Sequence, residues 1–295
     1  MTRSIIYSII SAICLGCLAI LAKTGLAMGM EPMQIIQYRF TFGALMLFGW
    51  LVITQPELLK IKRKALLKAM ILGVGIYPVQ SLLFIKALQH IPASTTSLIY
   101  YLYPVVTTLI AIIFLRLRPK RTLLYSLLLI LAGCGLVFYN AFAQNLDLRG
   151  VSYAVACMCT FSIYLTLIQI FTRNDEAKRI AIWVIFFMAV TFSLLSSPLT
   201  ILNQSPKGWA IALGLGFIPT ALAISLLYRA IETIGSAYVA MFSTIEPVTT
   251  VLLAILFLEE PLEAIQLAGM ALIITGIVVP NMHLLRRSAV LSKRT

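Results

Sequence analysis

The sequence predicts an all-α integral membrane protein with ten transmembrane helices arranged as two inverted five-helix repeats. Three observations predict it. The 295 residues are 61% hydrophobic and only 11% charged, with a mean hydropathy of +0.99, far from the roughly 45–50% apolar and 25% charged of a soluble domain. Apolar runs recur along the whole chain, each long enough to cross about 30 Å of hydrocarbon as a helix. The stretch Pro104–Leu115 is written a second time as Pro247–Leu258, identical at eight of twelve positions at an offset of 143 residues, and the same offset pairs Lys86 with Arg229, Ala87 with Ala230, Ile91 with Ile234 and Gly133 with Gly276. Such self-similarity marks a duplication, with copies over 1–143 and 144–295. Five spans per copy is an odd number, so the second copy enters the membrane from the opposite side.

The elements follow in order. The first apolar run, α1 near 4–24, lacks a small-x-small cleavage site before its polar flank and stays as a span rather than a signal peptide. Span α2 (34–54) carries Arg39 about six residues in, and α3 (66–89) carries Tyr77-Pro78 and Gln80 at mid-depth. The link His90-Ile-Pro-Ala93 leads to α4 (94–115), after which Arg116, Arg118, Lys120 and Arg121 precede α5 (122–142). In the second copy α6 (150–172) holds Tyr164 and Gln169, α7 covers 180–202, and α8 (208–229) contains Pro219. A turn at Glu232–Gly235 leads to α9 (236–257), and the acidic connection 258–263 leads to α10 (263–283) and a basic end from Arg286. The five cysteines, Cys14, Cys17, Cys134, Cys157 and Cys159, all fall inside spans, where they read as small packing residues.

The net charge of +13 is topological. With both termini cytoplasmic, 18 of the 23 Lys and Arg fall inside, while Lys23, Arg39, Lys86, Arg149 and Lys207 fall outside or in the outer half. That is the positive-inside bias, and it places the chain in a cell inner (cytoplasmic) membrane with the lipid bilayer as its partner and no nucleic acid. His90 and His283 sit at span ends without metal-ligand spacing, and no nucleophile elbow, P-loop or dinucleotide fingerprint occurs. No enzyme chemistry, metal or cofactor is expected. A channel is unsupported without a selectivity-filter-like loop or an Arg-rich helix. Inverted repeats are the usual architecture of secondary transporters, with the site near the midplane between repeats.

Ten spans in two halves, Arg39-Phe40 early in α2, Glu246-Pro247 in the middle of α9 and Glu259 at its end resemble the EamA-type transporters of the drug/metabolite transporter superfamily over the whole chain. In the first copy Tyr103-Pro104 and Arg116 stand at the matching places, so the copies differ in charge. The resemblance implies alternating-access transport of small metabolites such as amino acids, in the export direction. Multidrug or organic-cation efflux is its alternative, and a membrane receptor or scaffold without transport is the rival of a different class.

Candidate site residues are the polar groups within the spans. Glu246 is the only carboxylate deep in a span, where an acid costs about 2.5–3.5 kcal/mol and is functional by default. Tyr100, Tyr103 and Thr107 form one stripe at helical spacing, and Ser243, Glu246 and Thr250 form its mate, so two polar faces could meet across the pseudo-axis. Such stripes also join helices by hydrogen bonds alone. Arg39 has three readings: a pair with Glu246, a ligand for a substrate carboxylate, or a side chain snorkelling to headgroups. Tyr77 and Gln80 are expected to line the cavity, with Tyr164 and Gln169 as weaker candidates. Helices α3, α4, α8 and α9 are expected to rock, hinged at Pro78, Pro104, Pro219 and Pro247, while α5 and α10 buttress each half. A Glu246 that exchanges protons would make the proton a coupling ion, whereas one fixed by Arg39 would not, and the sequence leaves both open. A monomer is expected, since two fused halves do what a dimer of half-size subunits does.

Overall fold

The computed structural model describes residues 2–91, 93–119, 121–137, 139, 147–173, 177–258 and 264–278, and all regular structure among them is helical. Span α1 is Thr2–Ala27, α2 Pro32–Thr54, α5 Arg121–Val137, α6 Leu148–Thr172, α7 Ala177–Leu195 and α10 Ala264–Val278. The other four are composite. Span α3 runs through Arg63–Met70, a wide π turn at Ile71–Ile76 and Tyr77–His90, and α8 through Pro206–Gly216, a wide turn at Phe217–Leu222 and Ala223–Ile234. Span α4 consists of Ala93–Tyr100 and Tyr103–Leu115, and α9 of Ser236–Ser243 and Ile245–Leu258. Among the described residues, eight spans have the length and hydropathy to cross a membrane, and the two shorter apolar ones are α5 and α10. Apolar side chains such as Ile53, Phe114, Leu128 and Leu194 stay largely exposed along the outside of the bundle, as lipid-facing residues should. The acidic connection 259–263, Lys120, His283 and the basic end lie outside the described residues.

Spans α4 and α9 depart from the continuous helices the hydropathy predicts. Pro104 and Pro247 have no N–H to close onto the carbonyls of Tyr100 and Ser243, and each helix turns just before its proline: Leu102 has φ −77, ψ −7 and Thr244 has φ −69, ψ 1. Proline is well placed in the first turn of the half-helix that follows. The wide turns in α3 and α8 are a second matched pair, a form that clusters at functional sites.

Packing runs between the copies. Span α1 lies against α8 and α9, and its mate α6 lies against α3 and α4; α2 lies against α7 and α8, and α7 against α2 and α3. Spans α5 and α10 do not buttress separate halves as expected; they pack on each other. Glycine is the reason, because a Cβ on Gly133 would stand 2.7 Å from the Gly269 carbonyl oxygen, and one on Gly269 2.7 Å from that of Gly133. Helices lacking side chains there can bring their backbones together without a hydrophobic driving force.

The two ends of the bundle differ. At the end that carries the 91–92 link, His90 Nδ1 lies 3.1 Å from Asp147 Oδ2, and a Cβ on Gly150 would press within 2.6 Å of Ile91 Cγ2, so the end of α3 and the start of α6 are in close contact. The Arg149 backbone N–H, with His90 beside it, holds the Asp147 carboxyl below the usual carboxylate range.

Candidate functional site

The two broken helices meet where they break. Glu246 occupies the first turn of the second half of α9, where the positive end of a helix dipole favours a carboxylate. Discontinuous helices supply such termini at transporter sites. The hydroxyl of Tyr101, a residue at the break of α4, faces the Glu246 carboxylate. Glu246 itself is half-buried, and no cation stands within ion-pair distance of it among the described residues.

The other stripe residues divide. Tyr103 is buried, its hydroxyl 3.4 Å from the Ala240 carbonyl oxygen and its own carbonyl accepting from Ser162 at 3.2 Å. Tyr100 stacks among Tyr101, Tyr103, Phe84 and Phe161 at centroid distances of 5.3–5.8 Å. Among the described residues, Thr107 Oγ1 and Ser243 Oγ are buried without a hydrogen-bond partner, an unusual state that marks a place a ligand could satisfy. Thr250 instead donates to the Gly16 carbonyl at 3.3 Å, tying α9 to α1. Gln80 donates to Cys157 Sγ at 3.2 Å and ties α3 to α6. Tyr77 stands between Phe40 and Tyr164, 5.3 Å from each ring.

Arg39 answers to a chain of causes that starts at Pro219. Proline leaves the Leu215 carbonyl without its helical partner, and the Thr220 hydroxyl fills the gap at 2.9 Å. The same Thr220 oxygen accepts Arg39 Nε at 3.0 Å, and the Pro219 carbonyl accepts Arg39 Nη2 at 3.1 Å. Gly43, one turn on from Arg39, makes this possible: its missing Cβ would lie 2.6 Å from Thr220 Cγ2. Arg39 is 6% exposed and its guanidinium lies 4.9 Å from the Phe40 centroid. It neither snorkels nor forms a direct pair with Glu246, and two of its five N–H groups are engaged by the protein.

Between the two charges runs a wall of rings. Phe40 leads to Tyr77, Tyr77 to Tyr164, Tyr164 to Phe161 at 6.0 Å, and Phe161 to Tyr103 at 5.0 Å and Tyr100 at 5.3 Å. The Tyr164 and Tyr228 hydroxyls hydrogen-bond at 3.0 Å. Sequence reasoning missed Tyr101, Phe161, Thr220 and Tyr228. Phe161 and Tyr228 read as ordinary apolar span residues, and Tyr101 sat on the wrong face of a helix assumed to be continuous. No cluster of metal-ligating side chains occurs among the described residues.

A family model described as the EamA-like transporter family matches residues 2–139 and again 148–282. The chain belongs to the EamA-like transporter family. Its helices long and apolar enough to cross a membrane accord with that family. Among similar proteins, the uncharacterized transporter YwfM of Bacillus subtilis (strain 168) is 29% identical over 56% of this chain and 56% of its own length. The uncharacterized transporter YetK of the same organism is 22% identical over 68% of this chain and 63% of its own length. The chain thus spans less than two thirds of either relative. A solved crystal structure of a protein, 19% identical, superposes with a TM-score of 0.79 over 97% of this chain and 99% of its own, a likeness of fold. The helix breaks described above lie between the two copies, and inverted-repeat transporters in general hold their substrates at such a place.

Proposed function

We propose that this EamA-like protein is an alternating-access exporter of small amphiphilic metabolites such as amino acids, with the copies 1–143 and 144–295 moving against each other. The observation that carries the substrate class is the ring wall set between opposite charges: Arg39 at one end, Glu246 beside Tyr101 at the other, and Phe40, Tyr77, Tyr164, Phe161, Tyr100 and Tyr103 between them. A zwitterion with an apolar body matches each part: carboxylate toward the free N–H groups of Arg39, ammonium toward Glu246, and side chain along the rings, where cation–π attraction adds to the ammonium end. Thr107 and Ser243 offer the unmet hydrogen bonds beside it. Glu246 is also the group through which a proton would couple. It is partly accessible and, among the described residues, unpaired by a cation, so either a proton or a substrate ammonium can neutralise it.

Orientation follows the placement of basic residues, with both termini cytoplasmic in an inner membrane, and the fused halves suit a monomer. Organic-cation efflux is the second reading, favoured by Glu246 lying among tyrosine rings. Counterflow of labelled amino acids and of a labelled lipophilic cation into proteoliposomes decides between them. The amino acids are expected to exchange, and Glu246→Gln is expected to cut exchange by about tenfold or more, the effect of losing one charged hydrogen bond. Normal exchange by Glu246→Gln with unchanged pH dependence would reduce Glu246 to packing and overturn the coupling role.

A further inference from the structure

At the end of the bundle opposite His90 and Asp147, a cavity of about 1200 Å³ opens between the starts of α3 and α7 and the ends of α4, α6 and α8. Lys62, Arg116, Arg173 and Arg179 line it, and Glu232 is the one carboxylate among its lining residues. Glu232 is engaged elsewhere, since its carboxylate accepts from the backbone N–H of Ala177 at the start of α7. Arg179 donates to the Lys60 carbonyl at 2.7 Å. Asp175 and Glu176, next to Arg173 in sequence, lie outside the described residues.

The positive-inside bias explains why basic residues collect at this end. It does not explain their convergence on one cavity from four separate helix ends. Nor does it explain Arg116, which caps α4 with φ 53, ψ 34 and is the one non-glycine residue with positive φ among the described residues. A left-handed helix cap is a glycine position, because a Cβ is strained there. Here it is held by an arginine whose side chain lines the cavity. Strain that persists at a ligand clamp is the usual sign that the side chain is needed there. A cleft walled by one sign of charge focuses its field and concentrates the opposite ion.

We infer that this vestibule is an oxyanion-binding antechamber, which takes a carboxylate or phosphate group at the face predicted to be cytoplasmic. The inference rests on the transport reading for its purpose and specifies the cargo: a substrate entering here carries at least one oxyanion. An anionic lipid headgroup offers the same chemistry from another source.

The test is citrate binding to the purified full-length protein in neutral detergent, by calorimetry at about 50 mM and about 500 mM salt, a range over which exposed charges become screened. Arg116→Gly is the decisive variant, because glycine relieves the backbone while removing the charge, so folding is not at risk. Citrate affinity is expected to fall about fivefold in Arg116→Gly and in Arg173→Gln, on the order of a single exposed charge contact, and to weaken in the higher salt. Lys64→Gln removes the same charge at the same end, outside the cavity lining, and is expected to leave affinity unchanged. Equal losses in Lys64→Gln and Arg116→Gly, or no loss in either cavity variant, would overturn the inference. Repeating the titration in vesicles of phosphatidylcholine with and without phosphatidylglycerol separates the sources. Citrate displaced by phosphatidylglycerol assigns the oxyanion to lipid, and citrate retained assigns it to a soluble substrate. Because binding is read without flux, a failure here leaves the transport reading standing, while absent amino acid exchange with intact citrate binding would overturn that reading alone.

Discussion

The breaks in α4 and α9 are copies of one backbone device with different surroundings. Each is a turn ahead of a proline, Pro104 or Pro247, at matching places in the repeat. Around the first, the rings of Tyr100, Tyr103 and Phe161 stand between α4 and α6. Around the second, the residues at the same offset are Ser243, Glu246 and Leu18. Even the break residues differ in what they do: Tyr101 reaches across to Glu246, whereas its mate Thr244 folds its hydroxyl back onto the Met241 carbonyl of its own helix. The duplication has kept the geometry and divided the chemistry, with rings and donor in one half and acid and close packing in the other. Under the proposed alternating-access reading, a site assembled this way is complete only when both halves are in register.

Exchanging the two side chains breaks the comparison most severely. In the double variant Tyr103→Glu, Glu246→Tyr the acid sits at the first break, where the residue equivalent to Tyr101 is Thr244, already bonded to Met241. A buried charge left without its donor is costly, on the order of 3–5 kcal/mol. Exchange activity is expected to be lost entirely, with expression reduced. Retained flux in proteoliposomes would show that the breaks are chemically interchangeable and that the asymmetry is incidental.

The sequence made the repeat and the ten spans legible, and it singled out Glu246, for clear physical reasons. A duplicated dodecamer survives as identity, a span is a run of apolar residues, and a lone carboxylate in hydrocarbon stands out by its cost. What it hid depends on the breaks. Stripes drawn on a continuous helix put Tyr103 and Thr250 on the polar face and left Tyr101 off it. One wound turn at Leu102 re-aims Tyr101 toward Glu246, while Thr250 turns to Gly16 on α1. Arg39 was visible as a charge to be explained, but its answer required knowing that Pro219 opens a wide turn in a helix 180 residues away. The vestibule was invisible because its basic residues come from three different connections and were already explained by orientation.

Removing single hydroxyls sharpens the comparison with a smaller effect. Tyr101→Phe deletes the hydroxyl that faces Glu246 and keeps the ring, so stability should change little while exchange falls by about tenfold, as for a hydrogen bond to a charged group worth about 1.5–3 kcal/mol. Thr244→Val deletes the corresponding hydroxyl of the other break, whose bond stays within its own helix, and exchange is expected within about twofold of wild type. Initial rates of counterflow, with the protein quantified in the vesicles, separate the two. Equal losses would mean that both hydroxyls act only on the shape of the breaks.

The smallest effect concerns packing behind the breaks. A Cβ on Gly16 would lie 2.8 Å from Thr249 Cβ and 3.2 Å from the Glu246 carbonyl oxygen, so α1 touches α9 through a position that must stay bare. The mate of Gly16 is Cys159 on α6, half-buried against the core, where a side chain is accommodated. Giving each position the other's residue therefore has opposite consequences. Gly16→Cys overpacks a closed contact and should cost about 1–3 kcal/mol, with exchange impaired because the strain falls on the Glu246 turn. Cys159→Gly only loosens a helix, at about 1 kcal/mol, and exchange should persist. Thermal unfolding followed by tryptophan fluorescence, paired with counterflow, reads both. If the two variants behave alike, the close approach of α1 to α9 is not what holds Glu246 in place, and the division of labour between the halves stops at the side chains of the breaks themselves.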